Sequence, residues 1–367
     1  MSRQLGMDAI YCRPTPRPAH SEYSMEYHND LIRKVTGLDA GAESVARNAA
    51  DYGFKPKEVL RRFYDAWGYD FLWGTHDGFV DWAKAGRCAN MGHASYAENG
   101  QDQVAAEACP FTEPEEVWAF DPVREYGVTP FKDLVAGYEK DYRERFDAFP
   151  NQVTTGGYYK SVISGAIQAF GWDMLLMAAA DEVKFARVLE RFGEYTLHHA
   201  RAWAETSIEV YIQHDDIVWT GGPFLRPGFY REALFPIYRE LWKPLKAAGK
   251  KIIFCSDGTV DMFLEDIAAC GADGFIFEPC NDFEKIVRTL GGRYMLAGSK
   301  VDCRTMTFGT WDQVKAEIDA TLALTRGMPG HMFAVGNHIP ANITDEMCLR
   351  FIDYLRANWQ AKGTPSA

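Results

Sequence analysis

The chain has no block of lysines or arginines, no CxxC cysteine pair, no GxGxxG glycine fingerprint and no internal repeat. Each absence closes a class of function. Lys and Arg number 39 against 51 Asp and Glu, a formal charge of −12. A surface of that sign without a basic patch repels phosphate backbones, so no nucleic-acid partner is expected. Eight cysteines stand at 12, 88, 109, 255, 270, 280, 303 and 348. In a long chain without a signal sequence they read as free thiols of a reducing compartment. Residues 1–14 hold neither an apolar h-region nor a small-residue cleavage site. The longest apolar stretches, such as 173–180, fall far short of a membrane span. These absences together give the expectation of a cytoplasmic protein that engages no membrane.

What is present is a packed globular composition, 47% hydrophobic and 25% charged over 367 residues. Aromatics reach 14%, enough to fill a core and to line a pocket, since Trp and Tyr join apolar area to a polar tip. Residues 1–60 are polar and irregular, with Pro14, Pro16, Pro18 and Pro56. They read as an N-terminal extension packed on a body spanning 61–360, and the closing TPSA as a frayed end. Within the body, short apolar runs at 69–73, 152–155, 210–213, 251–254, 274–277, 294–297 and 331–335 alternate with helical segments. An eighth run is expected within 19–24. Thr310 with Gln313 forms a capping-box pattern, and Arg326-Gly327 stops the helix that follows. A second helix is expected over 282–290, closed by Gly291-Gly292. The charged stretch 181–206 reads as an outer-layer helix, with His198 and His199 on its outer face.

Alternating strands and helices in this number predict an α/β fold, a (β/α)8 TIM barrel, over the alternative of an open doubly wound sheet. In a barrel the active site lies at the C-terminal ends of the strands. Those ends carry Trp73 and His76, then Tyr158 and Tyr159, then His214, Asp215 and Asp216. After them come Cys255 and Asp257, then Glu278 and Cys280, and finally His338. Converging carboxylates support general acid–base work, with Asp257, Glu278 and Asp215 as the candidates. Trp73, His76, Tyr158, Tyr159, Asp216 and Trp219 are candidates to line a substrate pocket. Cys255, Glu278 and His338 offer donors for a borderline cation such as zinc. Each also has a structural reading: Asp215-Asp216 as a turn cap, Cys255 as a small buried apolar residue, Asp257-Gly258 as a turn dipeptide.

Five segments resemble the uroporphyrinogen decarboxylase superfamily. They are QHDDIVWT at 213–220 with LRPGFY at 225–230 and FPIY at 235–238, GKKIIFCSDG at 249–258, LAGSKVD at 296–302, FGTWDQVK at 308–315 and VGNHIP at 335–340. The resemblance covers about 60–358 and implies a barrel. One branch of that superfamily decarboxylates uroporphyrinogen and grips its carboxylates with an N-terminal Arg-rich motif. No counterpart stands here; Arg13, Arg17 and Arg33 are the nearest basic residues. The other branch moves methyl groups to or from corrinoid proteins, often with zinc on a His-x-Cys pair and a later Cys. Here Cys255-Ser256-Asp257 occupies the pair and Asn337-His338 lies near the later position. The resemblance therefore implies a methyltransferase that takes a methyl group from a small donor such as a methoxylated aromatic. The acceptor would be a separate cobalamin-binding protein that supplies the corrinoid. A homodimer is a further expectation. A decarboxylase using Asp215 or Asp216, and a ligand-binding barrel without turnover, are the alternatives.

Overall fold

The computed structural model describes residues 2–40, 56–89, 95–96, 102–103 and 109–360, so the TPSA end lies outside the described residues. A closed parallel barrel forms from β1 (Ala19–His20), β2 (Phe71–Leu72), β3 (Val153–Thr154) continued past Thr155 by β4 (Gly156–Tyr158), β5 (Val210–His214), β6 (Lys251–Cys255), β7 (Gly274–Ile276), β8 (Met295–Ala297) and β9 (His331–Phe333). Pairing runs β4–β5–β6–β7–β8–β9–β1, all parallel, and β2 pairs with β3. Between β1 and β2 the ring is closed by the Asp70 N–H, 2.8 Å from the His20 carbonyl, and by the Ser21 hydroxyl, 2.8 Å from the Phe71 carbonyl. With β3 and β4 as one interrupted strand, this is the (β/α)8 barrel. The expected eighth strand is β1, which moves the barrel's start: residues before 61 supply a strand, not only an extension.

Side chains alternate across every strand, as the pleat requires. Phe71, Val153, Val210, Ile212, Ile253, Ile276, Met295 and Met332 fill the barrel interior. Tyr211, Ile252, Phe254, Phe275 and Leu296 face the helical layer. Both faces are buried, which is why most of the runs carry apolar residues on each face. Helix α1 (Ser2–Ile10) closes the N-terminal end with Met7 and Ile10 against the interior cluster. Full burial of such a side chain contributes about 1.5–3 kcal/mol. Arg13, Arg17 and Arg33 are each engaged by an acid. Arg17 pairs with buried Asp70 at 2.6 Å and covers Trp359, while Arg13 pairs with Asp8 and Arg33 with Asp30.

Outside the barrel lie α2 (Val162–Ala179), α3 (Glu182–Glu205), α4 (Phe235–Ala247), α5 (Phe283–Leu290), α6 (Cys303–Phe308) and α7 (Trp311–Thr325). Thr310 and Gln313 make the capping box at α7, and Asp282 caps α5 by accepting the Lys285 N–H at 3.0 Å. By length and composition α2 could cross a membrane, which the short apolar runs had not suggested, but 67% of it is buried inside the protein. It is a core helix. The expected outer position of His199 is also corrected. Helix α3 is an outer helix, yet His199 lies on its inner face, buried, with its ring stacked 3.8 Å from that of Tyr158. Its Nδ1 is 2.6 Å from the Tyr138 hydroxyl, and burial pushes its pKa down to about 3.

Candidate active site

The C-terminal rim opens into a cavity of about 990 Å³. Strand alternation decides which rim residues reach it. Interior positions Val210 and Ile212 continue to His214 and Asp216, and Ile253 continues to Cys255 and Asp257. Phe71 continues to Trp73, and Ile276 to Glu278. Gly157 pairs with Ile212 and so leads to Tyr159. All seven of these rim residues line the cavity, and Trp219 and His338 join them.

The outward positions do not. Asp215 follows Tyr211 and Gln213 toward the helices and is fully buried. Its carboxylate accepts the Ser164 N–H of α2 at 2.6 Å and the Tyr238 hydroxyl of α4 at 2.7 Å. It is a strut between helices, not a catalytic acid, although burial pushes its pKa up to about 6. We expect Asp215→Ala to orphan two buried donors and cost roughly 2–4 kcal/mol, read by urea denaturation. An unchanged midpoint would deny it that role. Tyr158 turns away to stack on His199. His76 points to the surface, where its Nε2 is 2.9 Å from Asp141 and its Nδ1 accepts the Gly78 N–H at 2.8 Å. Neither lines the cavity, so the expectation that they bind substrate is corrected.

The centre of the cavity is His214, Asp216 and Asp257. Nε2 of His214 is 3.2 Å from Oδ1 of Asp216, an ion-pair contact rather than an aligned hydrogen bond. The same carboxylate accepts the Asp257 N–H at 3.0 Å. Burial, the largest single influence, lowers the His214 pKa, but the Asp216 charge and contact together with the charges of Asp257 and Asp215 outweigh it and the net shift is upward. Asp257 is open to the cavity and enclosed by protein on its other sides. Burial, then the charges of Asp216 and Glu278, push its pKa up to about 8, with His214 opposing. Two carboxyl groups this close to each other do not both ionise readily, so one keeps a proton near neutrality. Trp73 and Tyr159 flank the imidazole, with ring centres 5.7 and 4.7 Å away.

Glu278 holds the loops rather than facing the centre alone. One carboxylate oxygen accepts the Gly258 N–H at 2.6 Å, and the other accepts from the Asn337 side chain. It therefore ties the Asp257–Gly258 turn to the Asn337–His338 turn. Gly258 has φ +84°, and a Cβ there would lie 2.6 Å from the backbone of Trp219. Only glycine permits that close approach. Asn281 fixes the same turn through the Val260 N–H and the Gly258 carbonyl, at 2.8 and 2.9 Å.

The zinc ligand set read from the sequence does not assemble. Among the described residues, the group whose ligand atoms lie within 4.8 Å of one another is His214, Asp216 and Asp257. Burial raises the Cys255 thiol well above its ordinary pKa. Glu278 is engaged by two loops, and Nδ1 of His338 by the Ser24 hydroxyl. His214 and Asn337, noted at strand ends without a role, and Tyr23 and Arg304, not singled out from the sequence, also line the cavity. For His214 a signal existed: it stands two residues after Ile212, on the same strand face.

A model of the family described as "Uroporphyrinogen decarboxylase (URO-D)" matches residues 158–357. A curated uroporphyrinogen decarboxylase from Syntrophotalea carbinolica is 25% identical over 178 residues, 48% of this chain and 50% of its own length. The chain thus spans about half the length of that relative. A solved structure, a methyltransferase from Methanosarcina mazei, superposes with a TM-score of 0.63 at 16% identity, over 97% of both chains. At that identity the likeness shows the shared fold.

Proposed function

The chain belongs to the uroporphyrinogen decarboxylase family, and from that premise we propose that it transfers a methyl group rather than decarboxylating a tetrapyrrole. The observation that carries this is the charge of the cavity. Its lining holds four acids, Asp77, Asp216, Asp257 and Glu278, against Arg304 as the one Arg or Lys among the described residues. Size does not discriminate, since about 990 Å³ admits a tetrapyrrole. A substrate with many carboxylates needs a cluster of guanidinium groups, and the N-terminal arginines are engaged elsewhere. A compact, largely apolar donor fits instead, against Trp73, Tyr159, Trp172 and Trp219.

The donor we propose is a methoxylated aromatic, and the methyl acceptor is a reduced corrinoid carried by a separate protein. As the acceptor takes the methyl carbon, the carbon–oxygen bond breaks and its electron pair leaves with the oxygen. An aryl oxide is a poor leaving group unless it is protonated. Asp257, still protonated below about 8, supplies that proton and the phenol departs neutral. Burial first, and then the charges of Asp216 and Glu278, keep the proton on Asp257, with His214 opposing them. The same three central groups offer the one nitrogen and two oxygens that would hold a zinc ion, which would polarise the leaving oxygen as a Lewis acid. A rate that survives exhaustive chelation assigns the work to the proton.

The sign of the pH dependence follows. The active form is the acid, so kcat/KM should hold below about pH 8 and fall about tenfold per unit above it. The readout is the visible absorbance of a cobalt(I) corrinoid protein, lost on methylation, with methyl ethers as donors. A rate that instead rises through pH 8 would require Asp257 as a base and overturn the proposal.

A further inference from the structure

We propose that a methyl-sized recess inside the barrel, adjoining the floor of the cavity, is a specificity subsite for a short apolar substituent on the donor. The inference rests on the methyl-transfer reading for the identity of the donor, and on packing for the recess. Interior positions of a barrel are ordinarily filled by bulky side chains. Phe71, Ile253, Ile276, Met295 and Met332 follow that rule. Ala297, at the end of β8, and Ala334, two residues past Met332 on the same side, do not. β8 and β9 are neighbours, and the two small side chains border one gap of about 20 Å³, with Phe71, Ile276 and Met332 completing its wall. That volume holds one water molecule or one methyl group. A buried water needs about two to four polar partners, and the side chains of Ser21 and Glu22 beside the gap are already engaged. The Ser21 hydroxyl donates to the Phe71 carbonyl at 2.8 Å, and the Glu22 carboxylate meets His20 at 3.1 Å and the Val335 N–H at 2.9 Å. A methyl group needs no such partner. Tyr23, Trp73, Ile276 and Gly336 line both the recess and the cavity, so a ligand in the cavity reaches the recess with one projecting group. Among the described residues, none of β5 or β6, the strands that lead to Asp216 and Asp257, borders the recess. The substituent therefore lies on the side of the ring away from the ether oxygen. A hydroxyl of the same size would leave its hydrogen-bonding capacity unmet there, so the recess selects by polarity as well as by length.

The test measures equilibrium binding of anisole, 3-methylanisole and 4-methylanisole to the full-length protein, with their ethyl homologues and the corresponding methoxyphenols alongside. The better of the two methyl isomers should bind about tenfold tighter than anisole and than its own hydroxyl counterpart. Its ethyl homologue should lose most of that gain. Ala334→Val fills the recess and should bring the ratio of methyl isomer to anisole down to one or below. Ala297→Val fills it from the neighbouring strand and should do the same, should the first variant fold poorly. Ile276→Val enlarges the recess and should move the optimum from methyl to ethyl. A wild type that prefers neither methyl isomer, or a preference that survives both filling variants, overturns the inference and leaves a packing void only. Binding of none of these compounds overturns it as well. Methyl transfer to a cobalt(I) corrinoid protein is assayed with the same compounds. Selective binding without transfer refutes the methyl-transfer reading and leaves the recess as a binding site.

Discussion

Asp257→Asn should reduce methyl transfer by about 10²- to 10⁴-fold while leaving the melting temperature close to that of the wild type. The amide has the shape of the acid and no proton to give. The fold has little at stake in the exchange, because the hydrogen bonds tying this residue to its neighbours run through its backbone, the N–H to Asp216 and the carbonyl from the Ser256 hydroxyl. The carboxyl itself opens onto the cavity. The loss should fall on kcat more than on KM, since the proton is needed only as the carbon–oxygen bond breaks. A variant that keeps within a few-fold of wild-type kcat would remove Asp257 from the chemistry.

The second large effect is expected at Asp216, with a direction that a merely structural residue would not give. Its charge is among the causes that hold the Asp257 pKa high. Asp216→Asn removes that charge while its carbonyl can still accept the Asp257 N–H. The alkaline limb of kcat/KM should therefore move from near 8 to lower pH. Each unit of movement costs about tenfold in rate on the alkaline side. His214 opposes the Asp257 shift, so His214→Gln should move the limb the other way. Opposite displacements in the two variants would identify the titrating group. A limb that stays near 8 in both would mean that the rate reports some other residue.

The barrel was legible because its strands carry the rhythm of apolar run, polar end and capped helix, and Thr310 caps where expected. The rim positions were legible as well. Which member of each polar pair faces the cavity was not. A run such as 210–212 is apolar on both faces because both are buried, so it shows no alternation to anchor the phase. One residue of phase separates Asp216 at the centre from Asp215 between two helices, and Tyr159 on the wall from Tyr158 against His199. The role of His214 was lost for the same reason. Arg304 could not be found by strand phase at all, because it sits on a rim helix whose placement depends on the loop after β8.

The most direct test of the account mixes the purified chain with a cobalt(I) corrinoid protein and a methoxylated aromatic, and in parallel supplies a carboxylated tetrapyrrole alone. The four acids and the one arginine that line the cavity among the described residues predict loss of the cobalt(I) absorbance with release of the phenol in the first mixture, and no carbon dioxide in the second. Cobalt(I) absorbance that persists with every methyl donor, alongside carbon dioxide released from the tetrapyrrole, would contradict it.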